Sequence, residues 1–162
     1  MNYTDEYSPF PVRQNPRCKG YDYKTPNYYF VTMCTHEKKW LFGTPGKCNA
    51  CGNIAHAGLM EINRHFSSVH VDKFVVMPNH VHAIIILSDT SVHLSTVIGQ
   101  YKSFVTKTIH AADPAVCVWQ TSYYDHVIRN QQSYEKIWNY IDTNPAKWRE
   151  DCYMQYEEDA MI

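Results

Sequence analysis

"VHVDKFVVMPNHVHAIIIL", residues 69 to 87, decides how this chain folds. Its first part alternates and then turns wholly apolar, as a strand with a buried face does. Pro78 and Asn79 interrupt the run as a turn. Residues 80 to 87 resume as a partner strand, so the stretch reads as a β-hairpin. In a strand, residues i and i+2 share a face. His80 and His82 therefore point together, with roots roughly 7 Å apart. Ile84 and Ile86 continue that face, while Val81, Ala83 and Ile85 fill the other. Two imidazoles so placed can close on one ion. A bare His-x-His is more often two hydrogen-bonded histidines near a strand end, and two ligands do not complete a metal site. The pair lies beside the turn, where a site would be reachable.

The remaining elements are arranged around this hairpin. "YYFVTMCT", 28 to 35, is β-branched and aromatic and reads as a strand. "GTPGKCNACGN", 43 to 53, reads as a loop. "IAHAGLMEINRHF", 54 to 66, sets Leu59, Ile62 and Phe66 at helical spacing. A second helix, 93 to 109, gathers Leu94, Val97, Ile98, Tyr101, Phe104 and Val105 on one side. "VWQTSYYDHVI", 118 to 128, reads as extended. "SYEKIWNYIDT", 133 to 143, reads as a helix capped by Ser133. The order strand, helix, strand, strand, helix, strand, helix is that of a split βαβ, an α+β ferredoxin-like (RRM-like) plan with helices packed on one antiparallel sheet. A single domain over residues 1 to 162 is expected, with an extended arm over 1 to 27 and an acidic tail over 150 to 162.

Charge is distributed unevenly. The net charge is −1, which on its own argues weakly against a nucleic-acid binder. Five acids and no base follow Arg149, so the body before them is mildly basic. The arm holds four of the eight prolines together with Arg13, Arg17, Lys19 and Lys24. Thirteen tyrosines and four tryptophans suit wet interfaces and base stacking, although aromatics fill cores too. No apolar stretch approaches the ~20 residues that span a bilayer, and the N-terminus has no signal-peptide core. A cytoplasmic protein without a membrane partner is expected. Its six cysteines then read as thiols, and the lone C-x-x-C at Cys48 and Cys51 carries no site by itself.

"FVVMPNHVHAIIIL" resembles the central signature of the single-tyrosine HUH transposases, in which two histidines flank a hydrophobic residue. Within that family the stretch looks like the REP-associated tyrosine transposases. "GYDYKTPNYYFVTMCTHEKKWLFG" is similar to the family's first strand and "YKSFVTKTI" to its middle helix. "VWQTSYYDHVIRNQQSYEKIWNYIDTNPAKWRED" is similar to its C-terminal segment. The likeness runs in order from about residue 20 to 151. One departure is Thr121, which stands where the family usually has a basic residue.

The resemblance implies a metal-dependent single-strand DNA endonuclease and strand transferase acting at hairpin DNA through a 5′-phosphotyrosine, as a homodimer. It implies Tyr140 as nucleophile, with Tyr134, Tyr123 and Tyr124 as poorer candidates. His80, His82 and Asn144 would be ligands of Mg²⁺ or Mn²⁺; an amide oxygen suits such ions. Asn144 has a competing reading, because it precedes Pro145 and would cap a further helix, "PAKWREDCYMQY". Lys102, Ser103, His126 and Arg129, with Arg13, Arg17 and Lys19 of the arm, are candidate phosphate contacts. Two alternatives remain open: a hairpin DNA- or RNA-binding module that does not cut, and a metal hydrolase of small phosphoesters.

Overall fold

The computed structural model describes residues 19 to 150. Arg13 and Arg17 of the expected arm, and all of the acidic tail after residue 150, lie outside them. The elements run β1 (Asn27–Cys34), β2 (Gly43–Thr44), β3 (Lys47–Cys48), α1 (Ala50–His65), β4 (Val69–Met77), β5 (His80–Leu87), α2 (Leu94–His110), β6 (Tyr124–Ile128) and α3 (Gln131–Thr143). Two 3₁₀ turns, His36–Lys38 and Trp148–Glu150, complete them.

The hairpin forms as its sequence implies, with Met77 opposite His80 across the Pro78–Asn79 turn. The main sheet has the order β4-β5-β1-β6, and each neighbouring pair is antiparallel. Crossing from β1 through α1 to β4 leaves the slot that β5 fills, which is the split βαβ arrangement.

The sheet is covered on both sides. Tyr29, Val31 and Met33 of β1 and Val81, Ala83 and Ile85 of β5 join α1 and α2 in the main core. Tyr101 of α2 donates its hydroxyl to Ala55 O, tying the two helices together. The opposite face carries α3 on a smaller cluster of Ile84, Ile128 and Ile141, flanked by Phe30, Val75, Ile137 and Trp138. His80 and His82 belong to this second face.

A bulge fixes how α3 is held. The pairing of β4 with β5 steps from Val71↔Ile85 to Lys73↔Ile84, leaving Asp72 without an opposite residue. The extra residue lets two consecutive side chains reach one side of the sheet. Asp72 accepts from the Tyr134 hydroxyl at 2.6 Å. Lys73 pairs with Asp142 at 2.6 Å and lies over the Trp138 ring at 3.9 Å.

Several expected boundaries shift. The expected loop over 43 to 53 holds the short β2–β3 hairpin and the first turn of α1, which Asn49 caps by accepting from Gly52 N. Glycine is required at position 52, because a Cβ there would collide with the Phe42 carbonyl oxygen. Regular strand is confined to Tyr124–Ile128, and the earlier part of 118 to 128 makes one bridge, Trp119 to Thr35. Asn130, not Ser133, caps α3; its side chain accepts from Ser133 N at 2.8 Å. Among the described residues Asn144 caps no new α-helix. It ends α3 in right-handed helical conformation, φ −56° and ψ −44°.

Candidate active site

Each histidine is fixed through its Nδ1. With Asn79 Oδ1 as acceptor, His80 Nδ1–H donates at 2.8 Å. His82 Nδ1 lies 2.8 Å from Thr32 Oγ1, its direct neighbour in the β1–β5 register. The two rings meet at a centroid distance of 4.4 Å. A hydrogen bond at Nδ1 orients an imidazole and directs its Nε2 toward other work.

The C-terminal half of α3 closes over the pair. Tyr140 Oη lies 3.3 Å from His82 Nε2, and their rings are 5.2 Å apart. Four residues on stands Asn144, and four further stands Trp148, whose indole stacks on His80 at 5.9 Å. Residues four apart share a helix face, and hydrogen bonds from Lys147 N to Thr143 O and Asn144 O continue the turns. Asn144 is thus bracketed by the residues that touch the two histidines. Its Oδ1 is buried and has no hydrogen-bond partner.

The histidines are not reachable in the way their place beside a turn suggests. His80 is 0% exposed and His82 2%. Burial, then the neighbouring His82 and then Lys38, hold the His80 imidazole well below its usual range. Burial alone pushes His82 down to about 3. Both rings are therefore neutral near pH 7, the state a metal ligand needs. Tyr140, in contrast, is 42% exposed and can meet a large substrate.

Among the described residues no group of three or more His, Cys, Asp or Glu could hold a metal. Among the described residues a third protein donor at the pair would be of another type, and the orphaned Asn144 oxygen is a candidate. Two neutral imidazoles and an amide oxygen suit a divalent cation. The donor set therefore fits such an ion.

The other tyrosines are engaged elsewhere. Tyr123 is buried, Tyr124 lies on the edge strand β6, and Tyr134 is tied to Asp72, which raises its hydroxyl to about 12. Of the candidate phosphate contacts, Lys19, Ser103, His126 and Arg129 are exposed. Lys102 is committed within the fold, its Nζ donating to Gln120 O and Ser122 O at 2.9 Å each. It sits on α2, on the other side of the sheet from the histidines. Thr32, Asn79, Trp148 and Trp40, which packs edge-on to Trp148 at 5.6 Å, were not singled out by sequence reasoning. Only Asn79 had a local signal, being next to His80 in the turn.

Comparisons with known proteins agree with this architecture. The IS200-like transposase (Y1_Tnp) family model matches residues 25–144. An uncharacterized protein of Haemophilus influenzae is 31% identical over 164 residues, covering 86% of this chain and 91% of its own. Among solved structures, a REP-associated tyrosine transposase bound to a REP hairpin superposes with a TM-score of 0.60 at 21% identity, over 75% of this chain and 68% of that one. A Deinococcus radiodurans protein assigned as a candidate transposase gives 0.54 at 16% identity, over 78% and 95%. Among the described residues no helix is long and apolar enough to cross a membrane. With the match spanning the sheet, the hairpin and α3, the chain belongs to the IS200-like transposase family.

Proposed function

We propose that the protein nicks and rejoins single-stranded DNA beside a hairpin, with Tyr140 as nucleophile and His80, His82 and Asn144 as metal ligands. The observation that carries this reading is the 3.3 Å contact between Tyr140 Oη and His82 Nε2. It joins a half-exposed hydroxyl of α3 to the buried histidine pair.

The Tyr140 oxygen attacks the scissile phosphorus. The new bond is Tyr140 O–P and the bond broken is P–O3′; the phenol proton passes to solvent as the bond forms, and the leaving 3′ oxygen takes one up, so no net proton is consumed. The phosphodiester energy is kept in the tyrosyl ester, so a second 3′-OH can reverse the attack without ATP. A free phenol holds its proton at neutral pH, so the attack needs help. Mg²⁺ or Mn²⁺ held by the three ligands would supply Lewis-acid polarisation of the phosphate. Thr32 and Asn79 orient the imidazoles, and Phe30, 5.2 Å from His82 and 6.2 Å from Tyr140, walls the contact. Hairpin DNA as substrate is supported by the REP hairpin held by the structural relative. A homodimer in the cytoplasm is part of the same reading.

The test is a denaturing gel of protein incubated with a labelled hairpin oligonucleotide and Mg²⁺ or Mn²⁺. A covalent band is expected from the native chain and none from Tyr140→Phe, which keeps the ring. A band from the Phe variant would reject Tyr140. The burial of both histidines favours one rival, a hairpin binder that does not cut. That rival gives no covalent band from the native chain.

A further inference from the structure

A recess opens on the α3 face, at the other end of the helix from Tyr140. It is a cleft of about 330 Å³ lined by Tyr28, Asp72, Ile128, Asn130, Gln131 and Tyr134. Tyr28 is 41% exposed and meets Tyr134 edge-to-face at 5.7 Å. Tyr134 is locked by its hydrogen bond to Asp72 Oδ2, so its ring is fixed before anything binds. Ile128 gives the recess an apolar wall. Asp72 is present because the β4 bulge turns it toward α3.

We infer that this cleft receives one unpaired nucleobase of the DNA strand, stacked against Tyr28, with the Asp72 carboxylate selecting a base that bears an exocyclic amino group. The inference rests on single-stranded DNA being the substrate. An exposed, rigid tyrosine face is a stacking platform for any base. The carboxylate adds direction: Tyr134 uses Oδ2, which leaves Oδ1 to accept from the amino group of guanine, adenine or cytosine. Guanine offers two adjacent N–H donors. Thymine's one N–H stands between two carbonyls, which a carboxylate repels. Arg129, exposed and placed between the lining residues Ile128 and Asn130, stands ready for the adjoining phosphate. Tyr134 and Tyr140 are separated by roughly 9 Å along α3, so one strand can reach both.

The experiment measures anisotropy of fluorescein-labelled pentanucleotides, d(TTNTT) with N as each of the four bases, on the full chain carrying Tyr140→Phe. Pentamers with G, A or C should bind about fivefold or more tighter than the all-thymine one, G tightest. Adding Asp72→Asn, which keeps an acceptor for Tyr134, should level the four affinities. Adding Tyr28→Ala should weaken the amino-bearing pentamers about tenfold, and Tyr28→Phe should restore them. Equal affinities at the start, an order that survives Asp72→Asn, or no binding to any pentamer would each overturn the cleft. The covalent-band assay separates this from the nicking reading. A native band without base preference leaves nicking intact and removes the cleft; base preference without a native band does the reverse.

Discussion

The orphaned oxygen of Asn144 permits a sharp test of why that residue is there. A buried acceptor left without a partner costs about 1–3 kcal/mol, and Asn144 is 3% exposed with Oδ1 in that condition. Leucine branches at the same atom and carries no polar group. In EDTA, Asn144→Leu should therefore be more stable than the native chain by about 1–3 kcal/mol, or roughly 2–4 °C for each kcal/mol at this size. Adding metal reverses the order of benefit. A cation at 100 times its Kd stabilises its binder by about 2.7 kcal/mol, and the Leu variant, lacking one donor, should gain far less from the same concentration. Urea melts with EDTA, Mg²⁺ and Mn²⁺ measure both quantities. A Leu variant that is less stable in EDTA, with a metal gain equal to the native one, would show Asn144 to be a structural end to α3 and nothing more.

Three further outcomes are expected. Replacing His80 and His82 together with Ala should cost on the scale of ~2–5 kcal/mol seen for large buried side chains, since both rings are enclosed; a melt unchanged by the pair would contradict their burial. Lys73→Ala removes the partner of Asp142 and the cation over Trp138, so hydrogen exchange over residues 134 to 143 should accelerate while the α1 amides hold; equal acceleration everywhere would mean global destabilisation instead. Arg129→Ala should lower the slope of log K against log salt for single-stranded DNA by roughly 0.7, whereas Lys102→Ala, whose ammonium is spent on two carbonyls, should leave that slope alone.

The hairpin and α2 were legible because their signals are local. Alternation followed by Pro-Asn defines β4, turn and β5, and helical spacing defines the apolar side of α2. The start of α1 was hidden because Gly52 and Asn53 look like loop residues, although Asn49 is a good cap. The bulge carries a local signal: Asp72 and Lys73 are two polar residues in succession, which breaks the alternation of a half-buried strand. At the site, the shared face of His80 and His82 follows from strand period alone. Their enclosure does not. It is made by Tyr140 and Trp148, 58 and 68 positions from the histidines they cover (140 − 82 and 148 − 80). Asn144 shows the same limit. The pair Asn-Pro is ambiguous locally, and only the packing of the helix before it decides that Asn144 ends α3.

The third helix divides its work by stripe. Tyr134, Trp138 and Asp142, each four residues from the next, grip the bulged strand through Asp72 and Lys73. Ile137 and Ile141 pack on Ile84 and Ile128. Tyr140, Asn144 and Trp148 lie along the histidine pair. A step of three residues falls about 60° short of a full turn, so the three stripes lie side by side over roughly a third of the helix surface. One stripe is polar and gripping, the next apolar, and the third faces the site. Rotation of α3 is therefore set at the β4 edge and read out at His82. The helix that brings Tyr140 to His82 is also held by a salt bridge and a hydrogen bond that neither residue touches.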